Sequence, residues 1–477
     1  MVFNTWIFFF FLTIVLALYV NMRRPTQNTM LLCASCFFYG WWDWRFLFLV
    51  SFSTAIDYLM ALKMEDTTEP RRRKRFLLIS VVSNLTILGF FKYFNFFTDS
   101  LNALLATFRL DAHFWHTDIL LPVGISFYTF HALSYTIDVY RGHLRATRSF
   151  KDFALFVMFF PQLVAGPIGR ATHQLRQYLE ERCITLEGVR EGLWLILWGL
   201  FKKVCVADNL ARLVDQNFAR SGELNAPVAY LTVVAFAYQI YCDFSGYTDI
   251  ARGTAKLMGF DILHNFHRPY SAINPQDFWR RWHISLSSWL RDYLYIPLGG
   301  SRFGKWLTYR NLMITMVLGG LWHGAAWNFV WWGIYHGLLL VGFQLWSQWR
   351  DRWRPPRSLA IAAMFHLTLL GWLLFRCTRR ELVDGIRVDQ SFQQITEFLT
   401  APVRGFSWSA DATAIVTTLA LFVVPLAVIE WLIDPKREDR GLYDRPTWVA
   451  VPVQAVVAFF IVRYGVQNAS AFIYFQF

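Results

Sequence analysis

From Asn311 to Trp349 the chain carries no Asp, Glu, Lys or Arg. A straight helix crosses the hydrocarbon core of a bilayer with about 20 residues, so this run is too long for one span and too apolar for a soluble surface. Basic residues flank it on both sides, Arg302, Lys305 and Arg310 before it and Arg350, Arg352 and Arg354 after it. Lys and Arg near span ends are held on the cytoplasmic side, so the run is predicted to enter and return from that face. Gly319, Gly320 and Gly324 are the places where a helix can break. The rest of the chain has the same character: 55% of its 477 residues are hydrophobic and 17% are charged, where soluble domains carry roughly 25% charged residues. The long charged amphipathic region that a soluble domain would need does not occur, and residues 1–477 read as one integral membrane unit.

Further spans are predicted at Phe3–Tyr19, Met30–Trp42, Phe46–Leu62, Phe76–Phe97 and Leu121–Tyr140, and later at Leu359–Leu374, Ala412–Leu432 and Trp448–Val462. With the N-terminus outside, the basic stretches at Arg23, at Lys63 to Arg75 and at Arg141 to Lys151 all fall inside, as does the charged loop Asp434 to Arg445. That topology accounts for the net charge of +13 and argues against nucleic acid as a partner, although the same clusters suit anionic lipid or an acidic protein. Phe3–Tyr19 has no positive charge before it and Arg23 and Arg24 after it, the reverse of a cleavable leader, which makes it a retained span. The six cysteines are scattered; Cys33 and Cys36 sit in an apolar segment as small hydrophobes and identify no redox compartment.

The middle of the chain is less regular. Phe153–Pro167 is apolar but short, and Pro161 and Gly166-Pro167 break it, which predicts a re-entrant segment. Leu193–Val206 and Val228–Tyr241 are further helices, and the second is expected to be interrupted between Cys242 and Asp249, where carboxylates and a glycine arrive. Broken backbone at membrane depth must be shielded by protein or line a wet cavity, so Asp243 and Ser245 are candidate substrate contacts. Asn274–Arg291 mixes Trp279, Trp282 and Trp289 with Arg280, Arg281 and Arg291, a composition suited to a helix lying in the interface. The predicted fold is an all-α polytopic bundle with about eleven or twelve membrane-embedded helices, some re-entrant or interfacial.

His323 lies thirteen positions beyond Arg310, or about 20 Å along a helix at 1.5 Å per residue. An ionisable group at that depth is a functional candidate by default, and burial favours the neutral imidazole, which can act as a general base. The plain alternative is a hydrogen bond to a carbonyl left open at the glycine break. His336, in an unbroken apolar run, reads as a packing or inter-helix hydrogen-bonding residue. His283 follows Trp279, Arg280, Arg281 and Trp282, a cationic and aromatic group that can meet the phosphates of a coenzyme or a carboxylate on a carrier; anchoring at the interface is the competing explanation. Asp249 and Arg252 are spaced to pair on one helical face. His264 and His267 lack the further ligands that would complete a metal site, so no metal is expected. Cys205 and Cys242 are possible thioester carriers without an activating base beside them in sequence.

Six segments taken in order resemble the membrane-bound O-acyltransferase superfamily: Phe91–Phe97, Leu121–Phe130, Pro161–Ile168, Tyr238–Asp249, Phe278–Ser285 and Gly320–Gly324. The order and spacing carry the resemblance more than any one motif does. It implies a helical bundle around a central constriction, with His323 as the superfamily's buried catalytic histidine and His283 as its partner on the cytoplasmic side. It further implies an acyl thioester donor, acetyl-CoA foremost, with no cofactor held by the protein, and an acceptor hydroxyl arriving from outside. The expected setting is a bacterial inner membrane, with periplasmic acetyltransferase proteins as partners and an exported polysaccharide as final acceptor, alginate first and cellulose or peptidoglycan as alternatives. Trp279, Arg280, Arg281 and Trp282 are then candidate donor contacts. A transporter or flippase of an acyl donor or lipid-linked glycan would use broken helices and buried polar groups equally well, but no two matching halves are visible in the hydropathy. A non-catalytic scaffold for an export complex would tolerate loss of His323.

Overall fold

The computed structural model describes residues 1–108, 117, 119–164, 166–347, 355–383, 386–433, 441, 442, 445–466, 472 and 473. Arg350, Arg352, Arg354, most of the loop from Asp434 to Arg445 and Ala165 of the Pro161–Ile168 motif lie outside the described residues. The chain forms an all-α bundle. In order, its first helices are α1 (Trp6–Tyr19), α2 (Arg24–Asp43), α3 (Arg45–Glu65), α4 (Pro70–Leu88), α5 (Phe94–Thr107) and α6 (Ile125–Tyr140). The middle holds α7 (Phe150–Met158), α8 (Phe160–Leu163), α9 (Ala171–Leu179), α10 (Leu186–Leu200), α11 (Asp208–Ala219), α12 (Ala226–Leu257), α13 (Pro275–Trp279) and α14 (Ile284–Leu290). Then come α15 (Lys305–His323), α16 (Trp327–Trp346), α17 (Arg357–Arg376), α18 (Ser391–Leu399), α19 (Ala410–Leu432) and α20 (Thr447–Tyr464), with one hairpin, β1 (Arg380–Val383) against β2 (Ile386–Asp389).

Among the described residues seven helical segments are long and apolar enough to cross a membrane: α3, the continuous Pro70–Thr107 segment, α12, α16, α17, α19 and α20. The others are shorter, like the 14-residue α1, or more polar. The protein is therefore a multi-pass membrane protein. The predicted basic loops meet at one end of the bundle. Arg73 donates to the carbonyls of Met64, Val139 and Tyr140, Arg148 pairs with Asp66 at 2.6 Å, and Lys151 reaches the Pro25 carbonyl. By the positive-inside rule this is the cytoplasmic end. The re-entrant reading of Phe153–Pro167 corresponds to α7 and α8, whose residues from Asp152 to Leu163 are all buried.

Two expectations need correction. The helix beginning near Val228 is not interrupted after Tyr241: α12 runs unbroken for 32 residues. Its glycines are packing residues. A Cβ on Gly246 would lie 2.7 Å from the Gly199 carbonyl oxygen, and one on Gly253 would lie 2.5 Å from that of Gly192. Two glycines on α10 thus face two on α12 at the same seven-residue spacing, and the backbones touch as small residues allow in membrane bundles. The carboxylates of this helix are paired: Asp243 with Lys203 at 2.5 Å, and Asp249 with Lys202 and, at 3.6 Å, with Arg252.

Nor is Asn274–Arg291 a single helix. It is two short helices, α13 and α14, separated at His283, whose φ of 43° places a non-glycine residue in the left-handed region. Phe278, Trp282, Ser285 and Leu286 are all buried. The segment is held from the side by residues 265–267: Ile284 donates to the Asn265 carbonyl and His267 to that of Arg281, each at 2.9 Å, while the Ser285 hydroxyl donates to Asn265 Oδ1 at 2.6 Å. The break in the long uncharged run falls at Gly324, between α15 and α16. Gly320 serves close packing instead, since a Cβ there would lie 2.1 Å from the Phe329 carbonyl oxygen.

Candidate functional site

His323 is the last residue of α15, about 27 Å along the helix axis from Lys305 at 1.5 Å per residue. Its ring is enclosed by Trp332, Trp322 and Phe375, with ring centroids 5.0, 5.1 and 5.3 Å away. His283, fully buried, lies with its centroid 6.3 Å from that of His323. Phe244 of α12 meets His283 edge-on at 4.7 Å, and Trp322 does so at 5.6 Å. Two segments forty residues apart in sequence, one ending a helix and one breaking a helix pair, therefore bring their imidazoles together inside an aromatic shell. Aromatic walls of this kind hold ring positions by edge-to-face contact and keep the local dielectric low.

His323 also lines a cavity of about 410 Å³ together with Phe38, Tyr39, Trp42, Lys92, Phe127 and Trp322. Its rim includes Met1 and Val2, before α1, Trp42, at the end of α2, and Leu120, before α6. All of these lie at the end of the bundle opposite the basic loops, so the cavity opens outward. The space is mostly apolar and aromatic, as small-molecule clefts are, with a few polar groups set at its floor.

Of the other sequence candidates, the structure brings few to this place. Trp282 is 1% exposed and packs among Phe266, Phe278 and Trp372. Trp279 packs against Trp332 and His336. Trp279 backs Trp332, which meets His323, and Trp282 backs Trp372, because the apolar residues of their segment draw it into the bundle. Arg281 is committed to Asp277 at 2.7 Å, whereas Arg280 is exposed. Asp243 takes the Lys203 ammonium and also accepts from the Ile473 amide at 2.8 Å; a carboxylate so engaged is structural. Ser245 opens into a separate small pocket of about 40 Å³ with Lys202, Asp249, Arg252, Asn265 and Arg268.

His336 is buried, with Phe278 stacked at 6.0 Å and Trp332 at 4.7 Å, the packing role that its unbroken helix suggested. Cys205 and Cys242 are fully buried and line neither cavity. Among the described residues no group of three His, Cys, Asp or Glu side chains is placed to hold a metal.

Sequence reasoning missed Lys92. Its ammonium donates to the Trp322 carbonyl at 2.5 Å and the His323 carbonyl at 3.2 Å, and it faces the cavity. The signal was present: Lys92 is the one charged residue between Arg75 and Asp99, a lone cation inside an apolar span, which is a functional candidate for the same reason as His323.

Residues 125–379 match the membrane-bound O-acyltransferase family. A Pseudomonas putida protein described as a probable alginate O-acetylase, AlgI, is 39% identical over the whole of both chains. An Azotobacter vinelandii protein with the same description is 44% identical, covering 79% of this chain and 75% of its own length. A Helicobacter pylori peptidoglycan O-acetyltransferase is 35% identical over 84% of this chain and 83% of its own. Match and geometry coincide, because residues 125–379 contain α6, α12, both imidazoles and the aromatic walls around them, and the chain belongs to the membrane-bound O-acyltransferase family.

Proposed function

We propose that this acyltransferase moves an acetyl group from a thioester on the cytoplasmic side, acetyl-CoA or another acetyl thioester, to a hydroxyl presented from outside. The observation that carries the reading is His323 on the floor of a cavity that opens at the end of the bundle opposite the basic loops. The acceptor oxygen attacks the thioester carbonyl carbon while His323 takes the hydroxyl proton. The C–S bond then breaks, and the departing sulfur takes that proton from the imidazolium. His283, with its ring centroid 6.3 Å from that of His323 and outside the cavity lining, contacts the donor end of the reacting group in this reading. The aromatic enclosure limits attack by water on the thioester.

The relatives described as probable alginate O-acetylases and as a peptidoglycan O-acetyltransferase support O-acetylation of a polysaccharide, alginate before peptidoglycan. In that setting the chain works in a bacterial inner membrane, and a periplasmic acetyltransferase protein is the partner that relays the acetyl group to the polymer. The test compares cells carrying the wild-type and the His323→Ala protein at equal membrane levels. The acetyl content of the exported polysaccharide is expected to fall to background while polymer yield is unchanged. Normal acetylation by a folded His323→Ala protein would remove the reading and leave transport or scaffolding in its place.

A further inference from the structure

A helix leaves its last four carbonyls without intrahelical partners. At the surface water satisfies them, but α15 ends at His323 inside the protein, at the floor of a largely apolar cavity. Three consecutive carbonyls there are met by two consecutive side chains from a distant helix. The Tyr93 hydroxyl donates to the Leu321 carbonyl at 2.7 Å, and the Lys92 ammonium donates to those of Trp322 and His323. Lys92 has a third acceptor in the Ser126 hydroxyl on α6, at 3.4 Å. An ammonium has three donors and no acceptor, so all three are used by the protein, and Lys92 has none left for a substrate.

The presentation of these two side chains has a local cause. Between α4 and α5, residues Gly89–Tyr93 form a wide π-helical turn, as Phe201–Ala207 and Arg291–Tyr295 do elsewhere; such turns are frequent at functional sites. In a regular helix adjacent side chains point about 100° apart; here both converge on the end of α15. A positive charge at a helix C-terminus is also electrostatically favourable, more so where water is scarce.

We propose that Lys92 and Tyr93 are positioning residues for His323: they fix the broken end of α15, and with it the aim of the imidazole into the cavity, without touching substrate. The inference rests on His323 carrying the transfer reaction. The deletion of either contact frees carbonyls next to His323 and lets the helix end shift, and a misplacement of about 1 Å costs on the order of a hundredfold in rate.

The experiment measures acyl transfer in membranes or detergent for wild type, His323→Ala, Lys92→Met, Lys92→Arg and Tyr93→Phe, with kcat referred to folded protein. Lys92→Met is expected to lower kcat by about a hundredfold while the KM for the donor stays within about twofold, a split that general loss of fold does not produce. Lys92→Arg, which keeps the charge, should recover part of the loss. Tyr93→Phe removes one hydrogen bond and should lower kcat several-fold; it decides the matter if Lys92→Met fails to fold. A folded Lys92→Met or Tyr93→Phe protein with wild-type kcat overturns the inference, as does a change confined to donor KM. An active His323→Ala protein overturns the transfer mechanism instead, so the two failures are distinguishable.

Discussion

Single residues in this protein divide by whether their polar atoms face the cavity or one another. Lys203 is fully buried and meets two carboxylates, Asp208 at 2.8 Å and Asp243 at 2.5 Å. Removal of one member of a buried charge set leaves the rest uncompensated and costs about 3–5 kcal/mol. Lys203→Met should therefore abolish accumulation of folded protein in the membrane, seen as loss of a monodisperse peak after detergent extraction. Arg280→Ala, at an exposed position, should leave both that peak and its thermal midpoint unchanged. The sequence made His323 and His283 legible through an ionisable group at a glycine break and a family resemblance. It could not show that Trp279 and Trp282 turn inward, because interface anchors and buried aromatic walls have the same composition. Asp243 misled for a related reason: its partner Lys203 lies forty residues away, and a long-range ion pair leaves no local pattern.

Helices and their junctions carry the next level of information. The spans were readable because apolar runs between basic loops are a strong signal, and α3, α17, α19 and α20 cover the predicted intervals. Glycine was the ambiguous residue. At Gly324 it marks a break; at Gly192, Gly199, Gly246 and Gly253 it lets α10 and α12 touch, and only the partner helix tells the two uses apart. Gly246→Leu is expected to destabilise by about 3 kcal/mol or more, beyond ordinary core overpacking, because the added Cβ meets backbone that cannot rotate away. A lowered thermal midpoint in detergent, with a smaller effect for Gly342→Leu, where a Cβ meets nothing within 4 Å, would check this. The division of Asn274–Arg291 at His283 could not be foreseen, since neither glycine nor proline marks it. The left-handed backbone is imposed by the pairing with residues 265–267.

At the scale of the whole molecule, the basic loops gather at one end and the cavity opens at the other, and the proposed function assigns the donor to the first and the acceptor to the second. The orientation is open to a direct check. After replacement of the exposed Cys33 and Cys183, a cysteine at Trp306, 85% exposed beside Lys305, should react with a membrane-impermeant thiol reagent only when the cytoplasmic face is opened. A cysteine at Trp42, on the cavity rim, should react in intact spheroplasts. The reverse pattern would invert the assignment of donor and acceptor sides. The wide turn at Gly89–Tyr93 has one more consequence at this scale. Ser80, Asn84 and Leu88 are buried and Lys92 reaches the cavity, so the inward-facing positions recur every fourth residue. In a regular helix each step of four overshoots a full turn by about 40°, and three steps would carry the last position about 120° round the axis. The extra residue in the turn resets the phase, so that a span rooted among the basic loops still points Lys92, its one charge between Arg75 and Asp99, at the opposite, outward-opening floor.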